Sequence, residues 1–240
     1  MLLALRKKLE IRGIDVQALR SEADRKAHDL ISQALALSYP SDPILSEEGM
    51  DNQARLRSRR VWIIDPLDGT REFAERDRTD WAIHIALVVD EQPVAAVVTL
   101  PARGLTLSMH TFPAQRARKA GPLRLLVSRT RPPEIALSLA RHLGAELVPM
   151  GSAGAKTIAV ALTEADLYVH AGGQYEWDSA APVGVAVTAG LHVSRLDSSP
   201  LRYNQPSPWL PDLLVCRRDL AVQVQEALKV CEQEKKAGYK

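Results

Sequence analysis

The hydrophobic pattern changes period several times along the chain, and each change marks an element. Leu2, Leu3, Leu5 and Leu9 make a short helical repeat that Gly13 ends. A stronger helical repeat covers residues 21–37. Ala27, Leu30, Ile31, Ala34 and Leu35 fall on one of its faces, and Tyr39-Pro40 closes it. Residues 43–46 read as a short strand that delivers Glu47 and Glu48, and the polar stretch 49–60 as a loop or an exposed helix. Residues 61–64, Val-Trp-Ile-Ile, are a strand that should stop at Asp65-Pro66, because proline brings no N–H to a ladder. Strands at 81–89, 94–100 and 105–110 are separated by turns at 90–92 and 101–104. They predict an antiparallel meander joined to the first strand.

Residues 111–122, rich in Ala, Arg, Gly and Pro, read as a mobile connector. Beyond it strands and helices alternate. Strands are expected at 123–127, 146–149, 166–170, 191–195 and 213–216, and helices at 133–143, 155–162, 178–188 and 221–235. Pro132-Pro133 starts the first of these helices and Gly144 ends it. Gly190 stops the third, and Asp219 is the expected N-cap of the last. The chain therefore divides into an α+β part over 1–120, with a mainly antiparallel sheet, and a smaller α/β part over 121–240.

Composition narrows this only a little. With 240 residues, 46% hydrophobic and 25% charged, the chain is an ordinary globular one that can bury a core without staples. A net charge of +2 selects no partner. The basic runs 55–60 and 116–119 lack interleaved aromatics and read as solvated faces, so no nucleic-acid partner is expected. Cys216 and Cys231 have neither metal nor redox spacing, which fits a reducing, cytoplasmic compartment. The N-terminus lacks the apolar core and cleavage site of a signal peptide. No run reaches the ~18 apolar residues of a membrane span, so no membrane partner is expected.

The chemistry gathers around residues 61–73, V-W-I-I-D-P-L-D-G-T-R-E-F. Asp65 and Asp68 end a strand, followed by Gly69 and the Thr70 hydroxyl. Such a set suits a hard cation and a phosphate, but on its own it also reads as a plain Asp-Gly turn. Glu47, Glu48 and Asp178 lie at other element ends, where side chains from distant segments converge. Four unpaired carboxylates in one cleft repel each other, and Mg²⁺ removes that repulsion. The Asp65–Asp68 spacing does not fit an EF-hand. It is also one residue longer than the pair of an aspartyl-phosphate phosphatase, which favours metal-activated water over a covalent aspartate. The six histidines, His84 among them, have no ligand spacing and read as structural. Ser152 lacks a nucleophile elbow. Gly151-Ser152-Ala153-Gly154 lacks the Walker lysine, although its N–H groups could cradle a phosphate or ribose.

Taken together, S-E-E-G (46–49), W-I-I-D-P-L-D-G-T (62–70), G-S-A-G-A-K (151–156) and E-W-D-S-A-A (176–181) resemble the inositol monophosphatase superfamily of lithium-sensitive, Mg²⁺-dependent phosphatases. The resemblance runs from about residue 15 to the end. Arg71-Glu72-Phe73 and the 152–156 loop look like the 3′(2′),5′-bisphosphate nucleotidase (CysQ-type) branch, which acts in sulfate assimilation. This implies a layered sugar-phosphatase fold, α/β/α/β/α. It also implies hydrolysis of the 3′-phosphate of adenosine 3′,5′-bisphosphate. Inositol 1-phosphate and fructose 1,6-bisphosphate are alternative substrates on the same fold, and a non-catalytic metal- or nucleotide-binding regulator is a more remote reading.

Carried over by motif, Glu47, Asp65 and the Leu67 carbonyl would hold a first Mg²⁺, and Asp65, Asp68 and Asp178 a second. Glu48 would act through water on a third. The Gly69 and Thr70 N–H groups would hold the scissile phosphate, and the Thr70 hydroxyl, oriented by Asp24, would help activate the water. Ser152, Lys156 and Asp178 would contact the nucleotide. Homodimers are common in the family. Its members usually have a long N-terminal helix ahead of the segment holding Asp24. Here Met1 to Glu10 reads as that helix's tail, which is expected to leave part of the first apolar layer uncovered.

Overall fold

The structure, a computed structural model, describes residues 1–111, 118 and 120–238. Most of the expected connector at 111–122, including residues 116, 117 and 119 of the second basic run, lies outside them. Helix α1 (Leu2–Arg6) and a 3-10 turn (Lys7–Glu10) lead into α2 (Val16–Ser38). The long helix starts at Val16 rather than 21, because Asp15 caps it by accepting from the Ala18 N–H at 3.0 Å. Leu2 and Leu5 pack on Leu19, Ala23, Phe73 and Trp81, so the N-terminal segment covers this end of the apolar layer. At the other end Leu30, expected on the buried face, is 59% exposed.

The first sheet comprises β1 (Ile44–Ser46), β2 (Arg60–Asp68), β3 (Ala82–Val89), β4 (Gln92–Leu100) and β5 (Leu105–Ser108), side by side in that order. β1 and β2 are parallel and the rest antiparallel, so the meander is present. A short helix, α3 (Thr70–Phe73), follows β2. Contrary to expectation, β2 does not stop at Pro66. It runs on to Asp68 through a bulge: Asp65 opposes His84 and Asp68 opposes Ala82, so Pro66 and Leu67 stand against Ile83 alone. A bulge leaves a residue outside the ladder, and there the missing proline N–H is tolerated.

The polar stretch 49–60 is a loop that holds a 3-10 turn (Gln53–Arg57) and runs into β2 at Arg60. Its Arg55 is fully buried, paired with Asp51 at 2.7 Å and donating to Asn204 Oδ1 at 2.7 Å, so this basic run is not wholly a solvated face.

The second sheet is built from β6 (Arg124–Ser128), β7 (Glu146–Met150), β8 (Leu167–Tyr175), β9 (His192–Ser194) and β10 (Trp209–Cys216), in the spatial order β7-β6-β8-β10-β9. Helices α4 (Glu134–Leu143) and α7 (Ala221–Lys236) close its outer face over a cluster containing Leu125, Leu139, Leu214 and Val224. Asp219 does not cap α7. It sits in a 3-10 turn (Arg218–Leu220), and its carboxylate accepts from Arg217 instead.

Helices α5 (Ala153–Ala161) and α6 (Glu176–Thr188) lie between the sheets, with α6 packed across β2, β3 and β4. The main core, including Ile63, Val98, Ile158, Val185 and Leu213, joins the two sheets through these helices. The result is the alternating α/β/α/β/α layering. Among the described residues no helix is long and apolar enough to cross a membrane.

Candidate metal and phosphate site

The acids gather where β1 and β2 end and α6 begins. β1 pairs in parallel with β2, with Ser46 opposite Ile64, so one further step sets Glu47 beside Asp65. Asp65 and Asp68 are buried on either side of the bulge. The Leu67 N–H donates to Asp65 Oδ1 at 3.0 Å, which fixes that carboxylate over the turn. Asp178, in the first turn of α6, accepts from the Tyr175 N–H at 2.6 Å. It is therefore a helix cap as well as a member of the acidic group. Gly69 adopts φ +85°, and a side chain there would crowd the Asp80 carbonyl and Ser152, so only glycine lets the chain turn from β2 into α3.

The second half supplies donors to these acids. Asp68 Oδ2 accepts from Ser152 Oγ at 2.6 Å and from the Gly154 N–H at 2.8 Å. Ser152 Oγ in turn accepts from the Ala155 N–H and so caps α5. The Gly151 N–H donates to Asp80 at 2.6 Å. The N–H groups of this loop that were candidates for a phosphate are thus partly committed to protein carboxylates. Lys156 is buried, donates to the Ser152 carbonyl at 2.8 Å and lies over the Tyr168 ring. In this conformation Ser152 and Lys156 organise the loop rather than face solvent.

Electrostatics make the acidic group distinctive. Burial, then Asp68 and Glu47, pushes the Asp65 carboxyl well above the usual range. Burial, then Asp68, raises Asp178 to about 7. Glu47 is open to solvent on one side, yet the protein packed around the rest of it, followed by Asp68, Asp24 and Glu48, raises it to about 7. A divalent ion among carboxylates that raise one another in this way removes both the repulsion and the shift.

Asp24 and Thr70, the expected water-activating pair, line one cleft of about 400 Å³ together with Glu48, Arg20 and Arg71. Burial, then Glu48, raises Asp24 to about 7, and its Oδ1 is buried without a partner. Among the described residues no hydrogen bond joins the pair. The Thr70 hydroxyl donates to the Leu67 carbonyl at 3.2 Å instead.

Sequence reasoning missed His84. As the cross-strand partner of Asp65 it is fully buried, with Nε2 3.3 Å from Asp68 Oδ2 and Nδ1 3.1 Å from the Trp177 carbonyl. Asp65, Asp68 and His84 offer ligand atoms within 4.8 Å of one another. A side chain at Gly154 would overlap His84 Nε2, so the backbone of α5 closes over that nitrogen. Burial holds the His84 pKa low. Also unforeseen is the Glu72 carboxylate, which is buried and accepts from Arg129 at 2.8 Å, tying α3 to the end of β6. No spacing in the sequence signals either contact.

Comparison with known proteins resolves what this geometry belongs to. Residues 4–229 match the model of the inositol monophosphatase family. The chain belongs to that family. Within it, the chain is 51% identical over 218 residues to a 3′-phosphoadenosine 5′-phosphate phosphatase of Mycobacterium bovis, covering 87% of this chain and 82% of that one. It is 32% identical over 201 residues to the 3′(2′),5′-bisphosphate nucleotidase CysQ of Escherichia coli, covering 78% and 80%. The crystal structure of CysQ from Bacteroides thetaiotaomicron, 28% identical, superposes with a TM-score of 0.74 over 90% of this chain and 92% of its own. The inositol monophosphatase family is metal-dependent, and in this member Asp65, Asp68 and His84 form a cluster whose ligand atoms could hold a metal ion.

Proposed function

We propose that this protein is a Mg²⁺-dependent phosphatase that removes the 3′-phosphate of adenosine 3′,5′-bisphosphate, giving AMP and orthophosphate, in sulfate assimilation. The observation that carries the reading is the convergence of Glu47, Asp65, Asp68 and Asp178, each of the shifted members raised by burial and its neighbours, beside a cleft holding Asp24 and Thr70. High identity to enzymes named for this substrate supports the choice of nucleotide.

Glu47, Asp65 and the Leu67 carbonyl would hold one ion, and Asp65, Asp68 and Asp178 another. Glu48 would act through water on a third. Bound Mg²⁺ supplies an activated water and neutralises phosphate charge. The Gly69 and Thr70 N–H groups orient the phosphoryl group. The Thr70 hydroxyl positions the attacking water, and the partnerless Asp24 carboxylate accepts its proton. Positioning and charge, rather than covalent chemistry, are what phosphoryl transfer requires. Ser152 acts on Asp68, and Lys156 on the loop carbonyls, so their part in nucleotide binding is indirect. A domain division near residue 120, a cytoplasmic location, sensitivity to lithium and a homodimeric state belong to the same proposal.

The deciding experiment measures phosphate release from adenosine 3′,5′-bisphosphate, inositol 1-phosphate and fructose 1,6-bisphosphate, each with and without Mg²⁺. Mg²⁺-dependent release with the highest kcat/KM for the adenosine compound is expected. A higher kcat/KM for inositol 1-phosphate would overturn the substrate, and no release from any of the three would restore the non-catalytic reading.

A further inference from the structure

Two guanidinium groups border the Asp24–Thr70 cleft without a partner among the described residues. Arg20 sits one turn before Asp24 on α2 and shares its face. Its Nε is buried with no hydrogen-bond acceptor. Arg71 directly follows Thr70, and its exposed side chain makes no hydrogen bond or ion pair among the described residues. Both line the cleft. The buried Arg55 is by contrast committed to Asp51 and Asn204, and Arg129 to Glu72 and Glu75. A buried cationic donor without an acceptor is poised for an anion, and the forked guanidinium suits a phosphate.

The reaction indicates which anion. On the hydrolase reading above, on which this inference rests, Thr70 and Asp24 place the attacking water on this side. The water oxygen forms the new bond to phosphorus as the opposite ester P–O bond breaks. The ester oxygen keeps that electron pair and takes up a proton, while a water proton passes to Asp24. In such an in-line displacement the phosphoryl group inverts toward the attacking side. The product phosphate therefore finishes nearer this cleft, and the nucleoside leaves from the other side. We propose that Arg20 and Arg71 form the receiving site for the orthophosphate product and conduct it out through the cleft.

Product inhibition separates this from other roles. Inhibition constants for orthophosphate and for AMP would be measured with Mg²⁺ on the full chain, its Arg20→Gln and Arg71→Gln variants, and the double variant. The constant for orthophosphate should rise about tenfold or more in the double variant while that for AMP stays unchanged, and lysine at both positions should recover part of the loss. An unchanged orthophosphate constant overturns the proposal. So does an equal rise for AMP, which would make the arginines supports of the whole site. A loss confined to the bisphosphate, with adenosine 3′-monophosphate unaffected, also overturns it by placing them on the substrate's other phosphate. Thermal melting controls for folding, and Arg71→Gln alone, at an exposed position, keeps the test open if Arg20 variants unfold. If the parent protein releases no phosphate, the hydrolase reading fails separately, and calorimetric titration of orthophosphate into parent and variants decides the arginines' role.

Discussion

Residues 65–70 and residues 151–178 meet at the same carboxylates and contribute opposite things. The first stretch brings negative charge on a bulged strand end, with Asp65 and Asp68 held apart by Pro66 and Leu67. The second brings mainly donors: the Ser152 hydroxyl and Gly154 N–H on Asp68, and the Tyr175 N–H on Asp178. The charge of Asp68 is thus placed by one half of the chain and aimed by the other. A cation needs both, because unaimed carboxylates repel and turn away, and donors alone hold no cation.

Removing charge from the first stretch should have the largest effect. Asp65→Asn takes away the ligand assigned to both ions, and phosphate release should fall by about 10³-fold or more. Turnover close to that of the parent at saturating Mg²⁺ would show that Asp65 is not shared.

Disturbing the seam between the stretches comes next. Gly154→Ala forces a methyl group into His84 and displaces an N–H from Asp68, with an expected loss of about 1–3 kcal/mol in unfolding free energy measured by denaturant titration. Adding His84→Ala should recover most of it. Without recovery, the contact with His84 is not the source of the loss.

A smaller effect tests the aim alone. Ser152→Ala and Ser152→Gly both remove the hydroxyl from Asp68, and Mg²⁺ affinity by titration calorimetry should weaken about 10-fold in each. Ser152 holds φ 50°, so the glycine variant should be the more stable of the two. Affinity equal to the parent's in both variants would mean that Gly154 aims Asp68 unaided.

The smallest effect appears without metal. Glu47 and Asp178 titrate at about 7 in the folded chain, above their unfolded values near 4. Between those limits the folded state holds protons that the unfolded state has released. Stability therefore falls as pH rises through this window and levels off above it. With a chelator present, the thermal midpoint should be a few degrees lower at about pH 8 than at about pH 5, and Mg²⁺ should restore it at the higher pH. A chelated midpoint that climbs with pH would contradict the burial and mutual repulsion that raise these acids.

Much of the arrangement was legible in the chain. Strand ends and turns depend on neighbouring residues, so Glu47, Asp65, Asp68 and Asp178 could be placed at element ends, and the four motifs led to the family. Element boundaries were less legible where tertiary pairing overrode local signals. Pro66 did not end its strand, because a bulge against Ile83 absorbs it. Asp219 did not cap its helix, because Arg217 takes its carboxylate.

What the sequence by itself determined is the inventory of charge and the order in which the strands and helices present it, since period and punctuation are local properties. What only the tertiary structure decided is which groups face that charge. His84 reaches Asp65 and Asp68 through cross-strand register, Ser152 and Gly154 reach Asp68 from the start of α5, and Arg20 reaches the Thr70 cleft from α2. Each depends on packing between segments far apart in the chain, and no local spacing encodes such a distance.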